Sequence, residues 1–400
     1  FSGAGARLLS VLTGLPGVVL LLLSGLLIGR SGLGLVEPLD LGKGLETIVG
    51  LLVSLVLFDG GLNLRFPGGA IKSIVLRISS IRLIISLAAG FFAAHWFAGL
   101  GWSVAGVYSA IVLATGPTVV TPLVRQIRLA SPLSDVLEAE GLILEPIGAV
   151  LALLLLELVV GDLHGWRELF LGLLSRLGGG VLIGSLAGLF LSEGLKRLRS
   201  EPYIGIRLQL TLGVVFLLYG VCEWLLPESG LPASVAAGFV VGQRPSTQAN
   251  ELDKLIRELA QLAITMLFPL LAADVSWGEL SPLGWGGITC VLFLMIIVRP
   301  IAVSIATYGL PLDNKQRLFL GWLAPRGIVT AAVASLFSIR LEQAGVLGAG
   351  KLQGLVFLTI LMTVGIQGLT AQPLAKMLGL LDEDKDLDKP TNSGSIFTES

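Results

Sequence analysis

The chain has 400 residues, 54% of them hydrophobic and only 14% charged, with a formal net charge of −1. Soluble globular domains carry about 25% charged residues, so a mean hydropathy of +0.87 predicts a polytopic membrane protein. The small net charge excludes a bulk field that would recruit nucleic acid. The two cysteines, Cys222 and Cys290, fall in apolar stretches and predict buried free thiols rather than a metal or disulfide pattern.

Apolar runs predict about 12 helices, at roughly 8–29, 45–64, 74–98, 104–127, 136–160, 169–192, 206–226, 231–243, 255–275, 284–309, 317–340 and 351–380. Residues 1–380 are expected to form one transmembrane domain. Residues 381–400, beginning near the acidic run DEDKDLD, read as a polar, disordered cytoplasmic tail.

Most Lys and Arg fall in alternate connections, among them Arg77, Arg82, Arg125, Arg128, Lys196, Arg197, Arg244 and Lys315. The opposite connections hold only Arg30, Lys43, Arg167, Arg176, Arg340 and Lys351. The basic side, with the C-terminus, is therefore expected to be cytoplasmic. Arg299 and Arg326 remain inside predicted helices.

The fourth predicted helix, IVLATGPTVVTPLV, carries Gly116-Pro117 at mid-span. The eleventh, GWLAPRGIVTAAVA, carries Pro325-Arg326-Gly327 at the same relative place. Proline removes a backbone donor and clashes with the preceding turn. Freed backbone groups at membrane depth are tolerated only where they line protein or water. Paired interruptions in corresponding positions of two halves point to a transporter site. If the last six helices form one repeat, the broken helix is its fifth member. The first repeat then needs one helix before Phe1, which predicts 13 helices in full.

The deep charges carry the chemistry. The segment VLEAEGLILEPIGAVLALLLLELVV (136–160) spans a bilayer yet holds Glu138, Glu140 and Glu145. An ionisable group at that depth costs at least about 2.5 kcal/mol. Asp59 adds another acid; Arg299 and Arg326 are the deep bases. Buried charges must pair or neutralise; of the three deepest acids, Asp59, Glu140 and Glu145, two arginines hold two and one carboxylate stays free to exchange a proton for a cation. Glu145, deepest and next to Pro146, is expected to be that one. Glu140, about 140° away around the helix, is expected to pair with an arginine, Arg326 or Arg299. Thr115 and the carbonyls at Gly116 are expected to supply neutral oxygens for a hard cation. Asp59 is either a residue of a cytoplasmic funnel or a locally satisfied acid. His95, beside Trp96, reads as interfacial. Glu157 and Glu138, near helix ends, are expected to reach water. Gly180, Gly184 and Gly188 form a stripe for close helix packing. No HExxH, GxSxG or phosphate-binding loop occurs, which argues against an enzyme and for a secondary transporter without cofactors. A cation channel or a non-transporting sensor on the same fold are the alternatives.

On these residues the chain resembles the NhaP/NHE-type monovalent cation–proton antiporters across nearly its whole length. FDGGLNL (58–64), ATGPTVV (114–120), EGLILEP (140–146) and GWLAPRGIV (321–329) are similar to four family motifs in the same order. The resemblance implies an all-α inverted-repeat fold of 13 helices with two crossing broken helices, a homodimer, and Na⁺ (or Li⁺ or K⁺) for H⁺ exchange in a prokaryotic inner membrane. It gives Glu145 the place of the ion-binding aspartate, Glu140 that of an arginine-paired glutamate, and Thr115 that of a liganding threonine. Gly141 stands where the family has a serine ligand, and Arg326 matches the arginine of the family's LRG motif. Gly116 replaces the Asp of TDP, Leu144 replaces the Asn of an Asn-Asp pair, and Glu145 is one methylene longer than Asp. Likeness to the branch that carries the Asn-Asp pair implies electroneutral exchange, which a single free carboxylate fits.

Overall fold

The computed structural model describes residues 2–38, 43–64, 69–198, 204–244, 250–275 and 277–381. The expected tail from residue 382 onward lies outside the described residues. Within them the chain is helical without strands, and its helices group into 13 rods. The first six are α1 (Ser2–Thr13), α2 (Gly17–Ile28), α3 (Lys43–Asn63), α4 (Gly69–Trp96), the broken α5 (α5a, Trp102–Ile111; α5b, Pro117–Ile127) and α6 (Leu133–Val160). Next come α7 (Trp166–Arg197), α8 (Ile204–Leu225), α9 (Gly230–Gly242) and α10 (Asn250–Ala273). The last are α11 (Trp277–Ala306), the broken α12 (α12a, Asn314–Trp322; α12b, Ile328–Gln343) and α13 (Gly350–Leu378). Seven rods are each long and apolar enough to cross a bilayer.

The predicted helix 8–29 is two helices. Gly14 adopts φ +72 and Pro16 precedes α2, so the chain reverses there. Along α10, Arg7 meets Gln261 and Gly3 meets Thr265, whereas Gly25 meets Pro269 and Gly29 meets Ala273. α1 and α2 thus run in opposite directions along one neighbour. The extra helix that the repeat spacing requires is therefore found in α1, inside the chain. Rods α1–α6 and α8–α13 form the two repeats, α7 links them, and the broken rod is the fifth of each.

Two layers result. α4, α5, α6, α11, α12 and α13 pack into a bundle around the breaks; α3, α9 and α10 form the heart of a panel against it, joined by α2, α7 and α8. Small residues set the panel's spacing, as the glycine stripe predicts. Gly180, Gly184 and Gly188 lie against the backbone of Ser229, Ala233 and Ala237, where a Cβ would collide. Cys222 and Cys290 are buried and free. His95 sits at the helix end, stacked on Trp102 with Nδ1 2.7 Å from Leu100 O. Glu157 is half-buried at its helix end, and Arg176, one rod away, donates to both its oxygens at 2.8 and 3.1 Å.

Candidate functional site

Both interruptions unwind the helix. Residues 112–116 and 323–327 are non-helical, and the two stretches cross. Gly116 N donates to Pro325 O at 3.2 Å. The crossing requires glycine on both sides: a Cβ on Gly116 would collide with Gly327 Cα, and one on Gly327 would lie 2.6 Å from Gly116 Cα. The freed backbone groups find partners nearby, as membrane depth demands. Ala324 N donates to Gln367 Oε1 (3.0 Å) and Arg326 N to Thr363 Oγ1 (3.2 Å). Thr363 and Gln367 bound a π-helical turn of α13, which turns both side chains onto the break.

Together the two half-helix pairs present two carbonyl ends and two N–H ends to the crossing. The carbonyl ends are covered by guanidinium groups. Arg82 donates to Leu113 O (3.1 Å), and Arg326 to Leu113 O and Ala114 O (3.2 and 3.0 Å). Arg299 donates to Leu320 O and Leu323 O (3.0 and 3.3 Å). Cations at helix C-termini complement the dipole. Arg82 and Arg299 then converge on Glu140. Arg82 Nη1 and Arg299 Nη1 each lie 2.6 Å from Oε1, and Arg299 Nη2 lies 2.9 Å from Oε2.

Glu140 is therefore an arginine-paired acid, held by Arg299, one of the two arginines expected, and by Arg82, whose expected place is corrected. Arg82 is not a residue of a basic connection; it is 1% exposed in α4. Arg326 does not hold Glu140; no carboxylate among the described residues pairs with it, because its fork is taken by the α5 carbonyls. Repeat symmetry is the signal that points to Arg82: α4 and α11 are the fourth rods of their repeats, and each sends an arginine to the break that follows it.

Glu145 lies one and a half turns deeper on another face of α6. It is 1% exposed, and neither carboxylate oxygen has a hydrogen-bond partner. It lines a small cleft with Ile111, Ala114, Ala149, Thr330 and Val333, between the two broken helices. Oε1 is 2.9 Å and Thr118 Oγ1 3.1 Å from the point where a Cβ of Gly327 would stand. Pro117 and Thr118 open α5b, and Ile328 opens α12b. Glu145 thus sits by the N-terminal, positive ends of both half-helices. Thr118 carries no signal of its own in the sequence; it follows the break closely, and only the crossing brings it near Glu145.

Thr115 and Gly141 are placed on the Glu140 side. Thr115 Oγ1 accepts from Arg82 Nη1 at 3.1 Å, and a Cβ on Gly141 would lie 3.0 Å from Thr115 O. Gly141 therefore lets the α5 break press against α6. In the extended stretch successive side chains alternate, which turns Thr115 away from the Gly116–Gly327 contact. Asp59 is 5% exposed and accepts from Asn63 Nδ2 at 2.8 Å, while Arg257 donates to Asn63 Oδ1 at 3.0 Å. It also lines a cleft with Pro117, Thr121, Pro122, Arg125, Gln261 and Ile264, which runs from the basic side to the start of α5b.

A helical membrane bundle with two crossed breaks, an arginine-clamped acid and a second, unpaired acid is the architecture of a secondary transporter. The model of the transmembrane sodium/hydrogen exchanger family matches residues 2–377, and the chain belongs to that family. It is 26% identical over 384 residues to the Na(+)/H(+) antiporter NhaH of Halobacillus dabanensis, covering 92% of this chain and 93% of that one. It is 24% identical to the K(+)/H(+) antiporter NhaP of Alkalimonas amylolytica over 94% of this chain and 64% of that one. Its fold is similar to the solved structure of the sodium proton antiporter MjNhaP1 from Methanocaldococcus jannaschii, with a TM-score of 0.81 at 23% identity, covering 94% and 96% of the two chains.

Proposed function

We propose that the chain is a secondary antiporter that exchanges a monovalent cation, Na⁺ or else Li⁺ or K⁺, for H⁺. The observation that carries this is Glu145. A buried carboxylate without a partner is costly as a bare anion, so it holds either a proton or a cation, and binding one releases the other. Thr118 Oγ1 and the unwound backbone at Gly116 and Gly327 stand beside it as neutral oxygens and dipoles. Glu140, Arg82, Arg299 and Arg326 hold the crossing together and leave Glu145 as the shared site. One carboxylate exchanging one cation for one proton makes the exchange electroneutral.

In this reading the basic side, where the Asp59 cleft opens, faces the cytoplasm of a prokaryotic cell with the C-terminus. Residues 1–380 form the transport domain and residues 381–400 a cytoplasmic tail. Two copies pair as a homodimer in the membrane. The names of the similar proteins, both Na⁺/H⁺ and K⁺/H⁺ antiporters, support the substrate class. The test is a proteoliposome with an imposed ΔpH and an entrapped pH dye, given Na⁺, K⁺ and Li⁺ in turn. Cation-dependent dequenching is expected from the wild type and none from Glu145→Gln, which should fold and insert normally. A Glu145→Gln protein that still exchanges at near-normal rate overturns the assignment.

A further inference from the structure

The clefts around the crossing lie along one seam between panel and bundle. On the basic side, the Asp59 cleft lies between α3 and α10 of the panel and α5b of the bundle. Past the crossing, an apolar cleft continues between α2 and α10 on one side and α12 and α13 on the other. Leu22, Phe268 and Val275 line it, and it reaches Gly327, whose neighbour is Glu145. The residue at the far end of that seam is Asp274, just after α10 and next to Val275.

Asp274 is 2% exposed. Its Oδ2 accepts from Ser335 Oγ of α12b at 2.9 Å and from Gln353 Nε2 of α13 at 3.3 Å, both across the seam. Its Oδ1 is buried and has no hydrogen-bond partner. No base forms an ion pair with it among the described residues. The charged groups that face it are Arg30, 3.8 Å from Glu37, and Glu279, whose own Oε2 is buried without a partner. Glu342 stands next to Glu279 in turn.

A carboxylate with no ion-paired base and one bare oxygen has the same need as Glu145. It must carry a proton or a hard monovalent cation. We propose that Asp274, with the hydroxyl of Ser335 and the amide of Gln353, is the uptake site for the transported cation on the face opposite the basic side. The cation loses water there first, against Asp274 Oδ1, before passing along the α10–α12b seam to Glu145. This rests on the exchange activity proposed above.

The test is side-specific kinetics. Purified protein is reconstituted in proteoliposomes, and the two orientations are separated by blocking, with a membrane-impermeant thiol reagent, a cysteine introduced at the basic-side residue Lys315. Cation half-saturation constants are then measured on each face. Asp274→Asn, which keeps the shape and can still accept from Ser335, is expected to raise the constant at least tenfold on the face opposite the basic side and to leave the basic-face constant within twofold. Ser335→Ala is expected to shift the same face by a smaller factor, which guards against misfolding of the first variant. A merely structural role moves both faces together. Equal shifts on both faces, or no shift in a protein that exchanges normally, overturns the site. A wild type with no exchange at all overturns the antiporter assignment, a separate failure.

Discussion

Replacing Glu140 with alanine should cost the protein stability as well as transport, and its cost follows from the geometry. The side chain accepts three charged hydrogen bonds, from Arg82 Nη1, Arg299 Nη1 and Arg299 Nη2, at 2.6, 2.6 and 2.9 Å. Removing it leaves two guanidinium groups, 1% and 4% exposed, with Arg326 as a third buried base nearby and no acid to balance them. Breaking a buried pair from one side costs about 3–5 kcal/mol. For a bundle of about 200 residues, each kcal/mol is worth about 2–4 °C, which gives a fall in Tm of about 6–20 °C. The assay is intrinsic-fluorescence melting in detergent, with Glu145→Gln as the control. Glu145 has no partner to strand, so that variant should melt no lower than wild type while losing exchange. Combining Glu140→Gln with Arg82→Met and Arg299→Met should recover part of the loss, because an apolar replacement of a whole buried triad is often neutral. Recovery is incomplete because Leu113 O, Leu320 O and Leu323 O also lose donors. A Glu140→Ala protein melting within about 2 °C of wild type, less than 1 kcal/mol on this scale, refutes the clamp.

Protons should compete with the cation at Glu145. The cation half-saturation constant should therefore fall as pH rises and level off once the carboxylate is fully deprotonated, whereas a constant independent of pH rules out a shared site. Gly327→Ala places a methyl 2.6 Å from Gly116 Cα and 2.9 Å from Glu145 Oε1; overpacking of this kind costs about 1–3 kcal/mol. Exchange should be lost with a lower Tm, and a fully active variant would show that the breaks do not need this contact. Exchange should not respond to a clamped potassium–valinomycin diffusion potential. A steep voltage dependence would require a second titrating carboxylate, with Asp59 the first to test.

Much of this protein is legible in one dimension. Bilayer span length fixes the long rods, because every backbone group in hydrocarbon must be bonded within the helix. Gly116-Pro117 and Pro325-Arg326-Gly327 announce both breaks, since proline cannot continue the ladder. Charge counting separates Glu145 from Glu140, because five residues turn a helix to a different face. The same local rules place Glu140 and Glu145 on one membrane helix and mark the glycine stripe for close packing.

What the sequence left undecided depends on which surfaces meet. α1 and α2 read as one span because a three-residue turn at Gly14 is short against an apolar run; only packing on α10 in opposite directions separates them. Arg82 reads as a connection residue because arginines cluster before it, yet burial against Glu140 depends on α11 arriving from the other repeat. Arg326 and Arg299 read as equal candidates for Glu140, but the crossing brings the α5 carbonyls to Arg326 and leaves Glu140 to Arg299. Thr118 and Asp274 carry no local signal: one approaches Glu145 only through the contact of Gly116 with Gly327, the other meets Ser335 and Gln353 only across the panel–bundle seam. Local sequence determines helices and their faces, through periodicity and breaker chemistry. The partner of each buried charge is set by long-range closure of the inverted repeats, which no window of the chain contains.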